Sequence, residues 1–412
     1  MGQVPAPLAG VRIIECSMLG PGAITSALVD LGAEVIKVEP PNGDYIREMT
    51  WPVIEGVSLM HLHINRGKKS LVLDLRKPEA AATFKELVAG ADAVVEAMRP
   101  GGLARRGLGY ADLKEVNPKI VFCTISGYGA TGPYRDMPSH GVAYDTWAGV
   151  VKPAFTDDGH PYTPEHASIG IHAGPLYGAL GILAAIIRAR ETGIGGQIDI
   201  AQSDAAAAMD WLRSETYKAY ERPESEVTGN KTDNYERRAP GTAGMVEGVR
   251  YQMYASSDGF VLFMASERSL WKNFCEAVGR PDLFEKWPGS TYADHAVGNL
   301  ELREELRTIF ATRTSLEWLA FGNEANTPIA PVNDPKTIAD DPQFRHRFTW
   351  FPKEELGTDQ LSSPLHFVGE ELPRPTKAPT VGLHSADVLK DVLGYDDARI
   401  AELRAAGVLG TS

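Results

Sequence analysis

Apolar residues along this chain alternate between two spacings. Val11-Arg12-Ile13-Ile14-Glu15-Cys16 is a short, mostly apolar run, the pattern of a strand covered on both faces. Gly20-Pro21-Gly22 punctuates its end, and Ala23 to Leu31 resumes with helical spacing. The pattern repeats: Glu34 to Glu39 and Leu71 to Leu73 read as strands, Glu79 to Ala89 as a helix, and Ala93-Val94-Val95 and Ile120-Val121-Phe122 as further strands. This alternation predicts an α/β fold with a doubly wound parallel sheet. Leu176, Leu180, Leu183 and Ile187 predict a long helix over Pro175 to Arg190, followed by a strand at Gln197 to Ile200 and an alanine-rich helix at Asp204 to Met209.

The pattern then changes. Glu221 to Gly244 is polar and rich in Gly, Pro, Asn and Arg, which reads as a linker or mobile loop. Beyond it, Val249 to Tyr254 and Gly259 to Met264 read as a hairpin around Ser256-Ser257-Asp258-Gly259, with helices beginning near Ser269, Leu300 and Ser315. Past Pro331 the chain is Pro-rich and irregular until Ser385, where Val388, Leu389, Val392 and Leu393 indicate a closing helix.

Composition narrows the function. The 412 residues are 43% hydrophobic and 23% charged, enough for a sizeable core and two domains. A net charge of -13 without a basic run argues against a nucleic-acid or anionic-membrane surface, so any phosphate site is local. Cys16, Cys123 and Cys275 lack paired spacing, which suggests neither disulfides nor a zinc knuckle and points to a reducing compartment. With no signal-like N-terminus and no segment of bilayer-spanning length in view, a cytoplasmic enzyme without a membrane partner is expected. His61 and His63 have no further ligands near them in sequence; on a short strand they would share a surface, and no metal site is expected.

Parallel sheets hold ligands outside the carboxyl ends of their strands. The Gly20 to Gly22 turn is therefore a candidate, although no Gly-x-Gly-x-x-Gly fingerprint follows the first strand. Several ordered blocks carry a resemblance. They are Leu8 to Arg12; Leu31 to Glu39 with Gly43-Asp44; Asn65 to Ser70 before Leu73-Asp74-Leu75; Arg99-Pro100-Gly101; and Ser126 to Gly129 with Gly132-Pro133-Tyr134. Later blocks are Gly181 to Ala185 with Thr192-Gly193, Gly196-Gln197 and Asp199, then Ala378 to Gly382 with His384 and Val388-Leu389. Together they resemble the class III CoA-transferases, the family that includes carnitine and bile-acid CoA-transferases and the α-methylacyl-CoA racemases.

The resemblance implies a large nucleotide-fold domain, residues 1–220 completed by 375–412, a linker at 221–248, a smaller inserted α+β domain at 249–345 and a return linker at 346–374. It also implies an interlocked-ring dimer. It assigns acyl-CoA and a carboxylic acid as substrates, with no tightly bound cofactor. The positions matching the family's CoA loops are Ser17, Met18, Leu19, Leu73, Arg76, Met98 and Arg105, where basic groups would meet phosphate. Ala97 stands where some transferases carry asparagine.

The family's nucleophilic aspartate attacks the acyl-CoA thioester and needs a carboxylate. Counted back from Gly181, the transferase spacing falls on Ile171 and the racemase spacing on Gly170. Glu165 is the only carboxylate close by in sequence, several residues early, and His166 and His172 read as ordinary histidines. The racemase histidine matches His140, and its supporting glutamate matches Glu267. Three readings follow: a CoA-transferase subunit of a heteromer whose aspartate comes from a homologous partner, an epimerase using His140, or a CoA-thioester-binding subunit without catalysis. A homodimer and a heterodimer with an Asp-bearing homologue are both open.

Overall fold

The computed structural model describes residues 4–49, 51–229, 235–237, 245–290 and 294–410. The chain divides into two compact units, Met1–Trp211 with Arg347–Ser412, and Leu212–His346. Part of the expected linker, 230–234 and 238–244, lies outside the described residues.

In the first unit, β1 (Arg12–Ser17), β2 (Glu34–Glu39), β3 (Lys69–Val72), β4 (Ala93–Ala97), β5 (Val121–Ser126) and β6 (Gly196–Ala201) form one sheet. Its order is β6-β5-β4-β1-β2-β3, and every neighbouring pair is parallel. The order reverses between β1 and β4, so their carboxyl ends flank the crevice where such sheets take ligands.

The two-residue period of each strand sorts its side chains onto two buried faces. Ile14, Cys16, Ile36, Val38, Val94 and Phe122 face a core shared with Phe84, Leu87 and Val88 of α2 (Pro78–Ala89) and with Val388, Leu389, Ile400 and Leu403 of the C-terminal helices Ser385–Leu393 and Asp397–Ala405. Ile13, Val35, Val95, Val121 and Ile125 face the opposite core, covered by Ile24 and Leu28 of α1 (Ala23–Asp30) and Ile182 and Ile186 of a long helix. Alternating strands and helices in sequence therefore become helices on both faces.

Three more helices follow β5 in the chain before or after β6: α3 (Gly141–Trp147), α4 (Ile169–Thr192) and α5 (Gln202–Met209). The long helix, α4, begins six residues before its expected start, with Pro175 inside it. Its buried stripe is not Leu176, Leu180 and Ile187, which are 57%, 64% and 61% exposed. It is the small-residue stripe Gly170, Ala173, Gly174, Gly178, Ala179, Ile182, Ala185 and Ile186. Gly178 shows why: a Cβ there would lie 2.2 Å from Ile24 Cδ1, so glycine lets α4 approach α1. The helix is also long and apolar enough to span a bilayer, contrary to the sequence expectation, but half of its most apolar stretch is buried. The alanines and glycines that raise its hydropathy are the residues that seat it on the sheet.

The second unit has an antiparallel sheet ordered β7 (Gln252–Ala255), β8 (Phe260–Phe263), β9 (Ile329–Pro331). With α6 (Arg268–Ala277), α7 (Leu300–Phe310) and α8 (Ser315–Glu324) it encloses an aromatic core of Phe263, Trp271, Phe274, Phe310 and Trp318. The expected hairpin and three helices are present; β9 is the strand that periodicity missed, because three residues are too few to show it.

Charges are buried at the carboxyl ends of β1 and β2. Glu15 and Lys37 are register partners, 0% and 1% exposed. Lys37 Nζ donates to Glu15 Oε1 at 3.0 Å, while Lys68 Nζ donates to Glu15 Oε2 at 2.8 Å. Burial opposes ionisation of Glu15, but the two ammonium groups prevail and hold its carboxyl well below the usual range. Burial lowers Lys68 to about 8, helped by the Lys37 charge against the pull of Glu15. Next to it, Glu39 accepts from Arg47 Nη2 at 2.7 Å, and Arg47 Nη1 donates to Pro379 O at 2.7 Å, tying the C-terminal segment to β2.

His61 and His63 lie on a short helix, Leu59–Ile64, rather than on a strand, and do not share a surface: His61 is buried and His63 exposed. Ser58 caps that helix by accepting from His61 N.

Two measurements follow. Glu15→Gln leaves two buried ammonium groups competing for Asp44 and neutral oxygens, and should cost roughly 3–5 kcal/mol in urea unfolding; an unchanged midpoint would contradict a structural role for the pair. Burial, together with the Arg47 guanidinium beside Nε2, lowers the His61 pKa from 6.5 to about 3. Between those values the unfolded chain binds the extra proton, so this stability is complete above pH 6.5 and declines as pH falls toward 3. His61→Gln should flatten that stretch of the stability-against-pH curve by up to about 1.4 kcal/mol per pH unit.

Candidate active site

The loop after β1 is rigidly held. Lys37 Nζ donates to Ser17 O at 2.9 Å and Ser17 Oγ at 3.0 Å, and Lys68 Nζ donates to Gly22 O at 2.8 Å. Leu19, with φ 60 and ψ -151, occupies backbone space that non-glycine residues rarely use, and its N–H donates to Asp44 Oδ1 at 3.3 Å. Met18 and Leu19 remain partly exposed at the crevice.

Other residues expected to bind CoA separate in the structure. Leu73 is 1% exposed in the core, so its side chain cannot line an open site. Arg76 spends its fork on Asp74, with Nε to Oδ1 at 2.7 Å and Nη2 to Oδ2 at 2.8 Å. Met98 is half-buried against the core, while Arg105 is exposed, with Nη1 donating to Pro100 O at 3.3 Å. At Gly101, φ +76, a Cβ would lie 3.6 Å from both Arg105 Nη1 and Arg135 Nη2. Two guanidinium groups thus converge at the end of β4, and Arg135 was not expected. Buried Glu96 holds this loop by accepting from Leu103 N at 2.6 Å; burial raises its pKa.

Gly170 and Ile171 lie in the first turn of α4. Gly170 is sealed: a Cβ would lie 2.8 Å from Tyr144 Cβ and 3.0 Å from Gln202 O, so the racemase-spaced position admits no side chain. Ile171 is half-buried, its Cγ2 3.3 Å from where a Gly141 Cβ would be. His140, next to Gly141, is the exposed N-cap residue of α3. Pro175 offers no N–H, so the Ile171 carbonyl lacks its i+4 donor.

Glu165 and His172 are exposed. The carboxylate nearest to this turn comes from elsewhere, Asp145 on α3. It is 0% exposed, and its Oδ1 accepts from Gly170 N at 2.8 Å. Its Oδ2 lies 3.4 Å from His166 Nε2, and neither atom has a hydrogen bond. His166 Nδ1 is 3.0 Å from Pro164 O. A search of nearby sequence could not find Asp145, because 25 residues separate it from Gly170. Glu267, in the second unit, is the exposed N-cap residue of α6. No group of three or more potential metal ligands occurs among the described residues.

The family model for CoA-transferase family III matches residues 8–385. Succinyl-CoA:glutarate CoA-transferase of Homo sapiens is 31% identical, covering 98% of this chain and 90% of that protein. The succinyl-CoA–L-malate CoA-transferase beta subunit of Chloroflexus aurantiacus is 30% identical, covering 98% of both. The crystal structure of a CAIB/BAIF family protein from Brucella suis superimposes with a TM-score of 0.75 at 26% identity, covering 94% of this chain and 100% of that one. With a parallel sheet that reverses between β1 and β4, loops converging there, and a family match over nearly its whole length, this chain belongs to CoA-transferase family III.

Proposed function

We propose that this chain moves coenzyme A between an acyl-CoA and a short dicarboxylic acid as one subunit of a heteromeric enzyme, with a homologous partner supplying the nucleophilic carboxylate. The observation that carries the reading is the first turn of α4, where Gly170 admits no side chain and Ile171 fills the remaining position with an alkyl group. In the proposed reaction the partner's aspartate attacks the thioester carbonyl and expels the CoA thiolate, giving a mixed anhydride. The thiolate then attacks the aspartyl carbonyl, releasing the first acid and leaving CoA on the partner, and the second acid takes it by the reverse steps. Apolar Leu176, Leu180 and Ile187, each more than half exposed on one helix, support a protein partner on the first unit. The beta-subunit relative and the relatives acting on succinate, glutarate and malate support the heteromer and the acid class. Three buried, unpaired cysteines are consistent with a reducing, cytoplasmic setting.

On this reading, the chain alone does not transfer CoA from succinyl-CoA to glutarate or malate, and coexpression with an Asp-bearing homologue gives a mixed, active oligomer. Ile171→Asp should create transfer activity in the chain alone and a CoA adduct on that residue detectable by mass spectrometry; continued inactivity of a folded variant would count against a site lacking only its nucleophile. Arg105 and Arg76 separate the phosphate contacts. Arg105→Ala should weaken CoA binding in isothermal titration roughly 10-fold, the loss of one charge-assisted contact. Arg76→Ala should change it less than about 2-fold, because its guanidinium already serves Asp74.

A further inference from the structure

Asp145 ties down both ends of the excursion between α3 and α4. Where the chain leaves α3, the Asp145 carbonyl accepts from Val150 N at 3.0 Å; where it enters α4, Asp145 Oδ1 accepts from Gly170 N at 2.8 Å. Between these ends lies a two-stranded hairpin, Ala154–Phe155 against Pro161–Tyr162. No residue from Lys152 to Ala167 is buried, and Phe155 and Tyr162 are 64% and 48% exposed. Among the described residues, the hydrogen bonds of this segment stay within it, as from Thr156 N to His160 O at 3.0 Å. A two-stranded hairpin with so little buried apolar surface opens at low cost. Among the described residues, one polar contact leads from the segment back to the body, His166 Nε2 at 3.4 Å from Asp145 Oδ2.

Both atoms of that contact are buried and without a hydrogen bond, and 3.4 Å exceeds an ordinary N–H···O distance by only a few tenths of an ångström. The other ring nitrogen, Nδ1, is 3.0 Å from Pro164 O. A carbonyl and a carboxylate only accept, so a neutral imidazole, with one N–H, serves one of them, while the imidazolium serves both. The His166 side chain is 18% exposed, so solvent can deliver the proton. We propose that residues 152–167 are a flap, latched to the first turn of α4 when protonated His166 donates to Asp145 and released from it when the proton leaves. The latched form holds the extra proton, so falling pH closes the flap and rising pH opens it. The other titratable groups on the elements packed here do not replace Asp145: Tyr144 on α3 turns its hydroxyl to Ser139 and Gln202, and His140, Glu165, His172 and Asp204 are exposed. Since Asp145 also holds Gly170, the latch acts on the turn that carries Ile171. Its bearing on transfer rests on the reading of that turn as the reaction site, but not on a heteromer.

The test is chymotrypsin digestion of the purified full-length chain, without acyl-CoA or a partner chain, with cleavage after Phe155 and Tyr162 followed by mass spectrometry. Digestions run at about pH 6 and about pH 8, the span in which imidazoles ordinarily change charge. Each rate is divided by the protease's rate on a peptide substrate at the same pH. Wild type should be cut about 10-fold more slowly at the lower pH, the weight of one charge-assisted hydrogen bond. His166→Gln and Asp145→Asn should each be cut at one rate at both pH values, close to that of wild type at the higher pH. Asp145→Asn keeps an oxygen for the Gly170 N–H, so its thermal midpoint should stay near wild type. The double variant should behave as either single variant, because both remove the same contact. Equal wild-type rates at the two pH values, or a pH response that survives in either folded variant, would overturn the latch. With no thioester or partner present, the outcome is separate from the transfer assays, so failure of either proposal leaves the other readable.

Discussion

The pairing of Glu15 with Lys37 across β1 and β2, with Lys68 on the other carboxylate oxygen, is the constraint on which the rest of the first unit depends. An ionised carboxylate with no solvent exposure is tolerated only if both its oxygens are served, and here two ammonium groups serve them. The same ammonium groups have hydrogens left over, and these reach Ser17 O and Gly22 O. The charges that set the register of the two strands therefore also fix the path of the loop between β1 and α1. Such a network does not add much net stability over a well-packed apolar substitute. What it contributes is one loop geometry, strained at Leu19.

A second buried carboxylate repeats this arrangement on β4. Glu96 accepts from the backbone of Leu103 and so holds the turn that brings Gly101 between Arg105 and Arg135. The two loops flank the point where strand order reverses, so each is anchored from below by an acid at the end of its own strand. The crevice is preorganised, and a ligand need not spend its interactions on ordering the loops.

The first turn of α4 follows a different rule, in which space decides chemistry. Gly170 exists so that Tyr144 and Gln202 can close in, and Gly141 leaves room beside Ile171. Once those contacts form, no side chain fits at 170, and an alkyl group holds 171. The buried Asp145 then reaches the same turn from α3.

Much of this was legible in the residues alone. The parallel sheet, its strand positions and the hairpin and helices of the second unit follow from local spacing, because the burial of both faces of a strand, or one stripe of a helix, is imposed by its immediate neighbours in sequence. The absence of an aspartate at 170 and 171 is likewise a property of the string itself. Partnerships between distant positions were not. Glu15 with Lys68, Asp145 with Gly170, and Gly101 with Arg135 bring together residues that no periodicity relates. The face that α4 buries was not legible for a related reason: close approach to α1 selects glycine and alanine, and Leu176, Leu180 and Ile187 stay exposed. The sequence by itself determined which elements form and that no carboxylate stands at 170 or 171; only tertiary packing decided which distant charges meet and what packs around the first turn of α4, because those outcomes depend on distances that the order of residues does not contain.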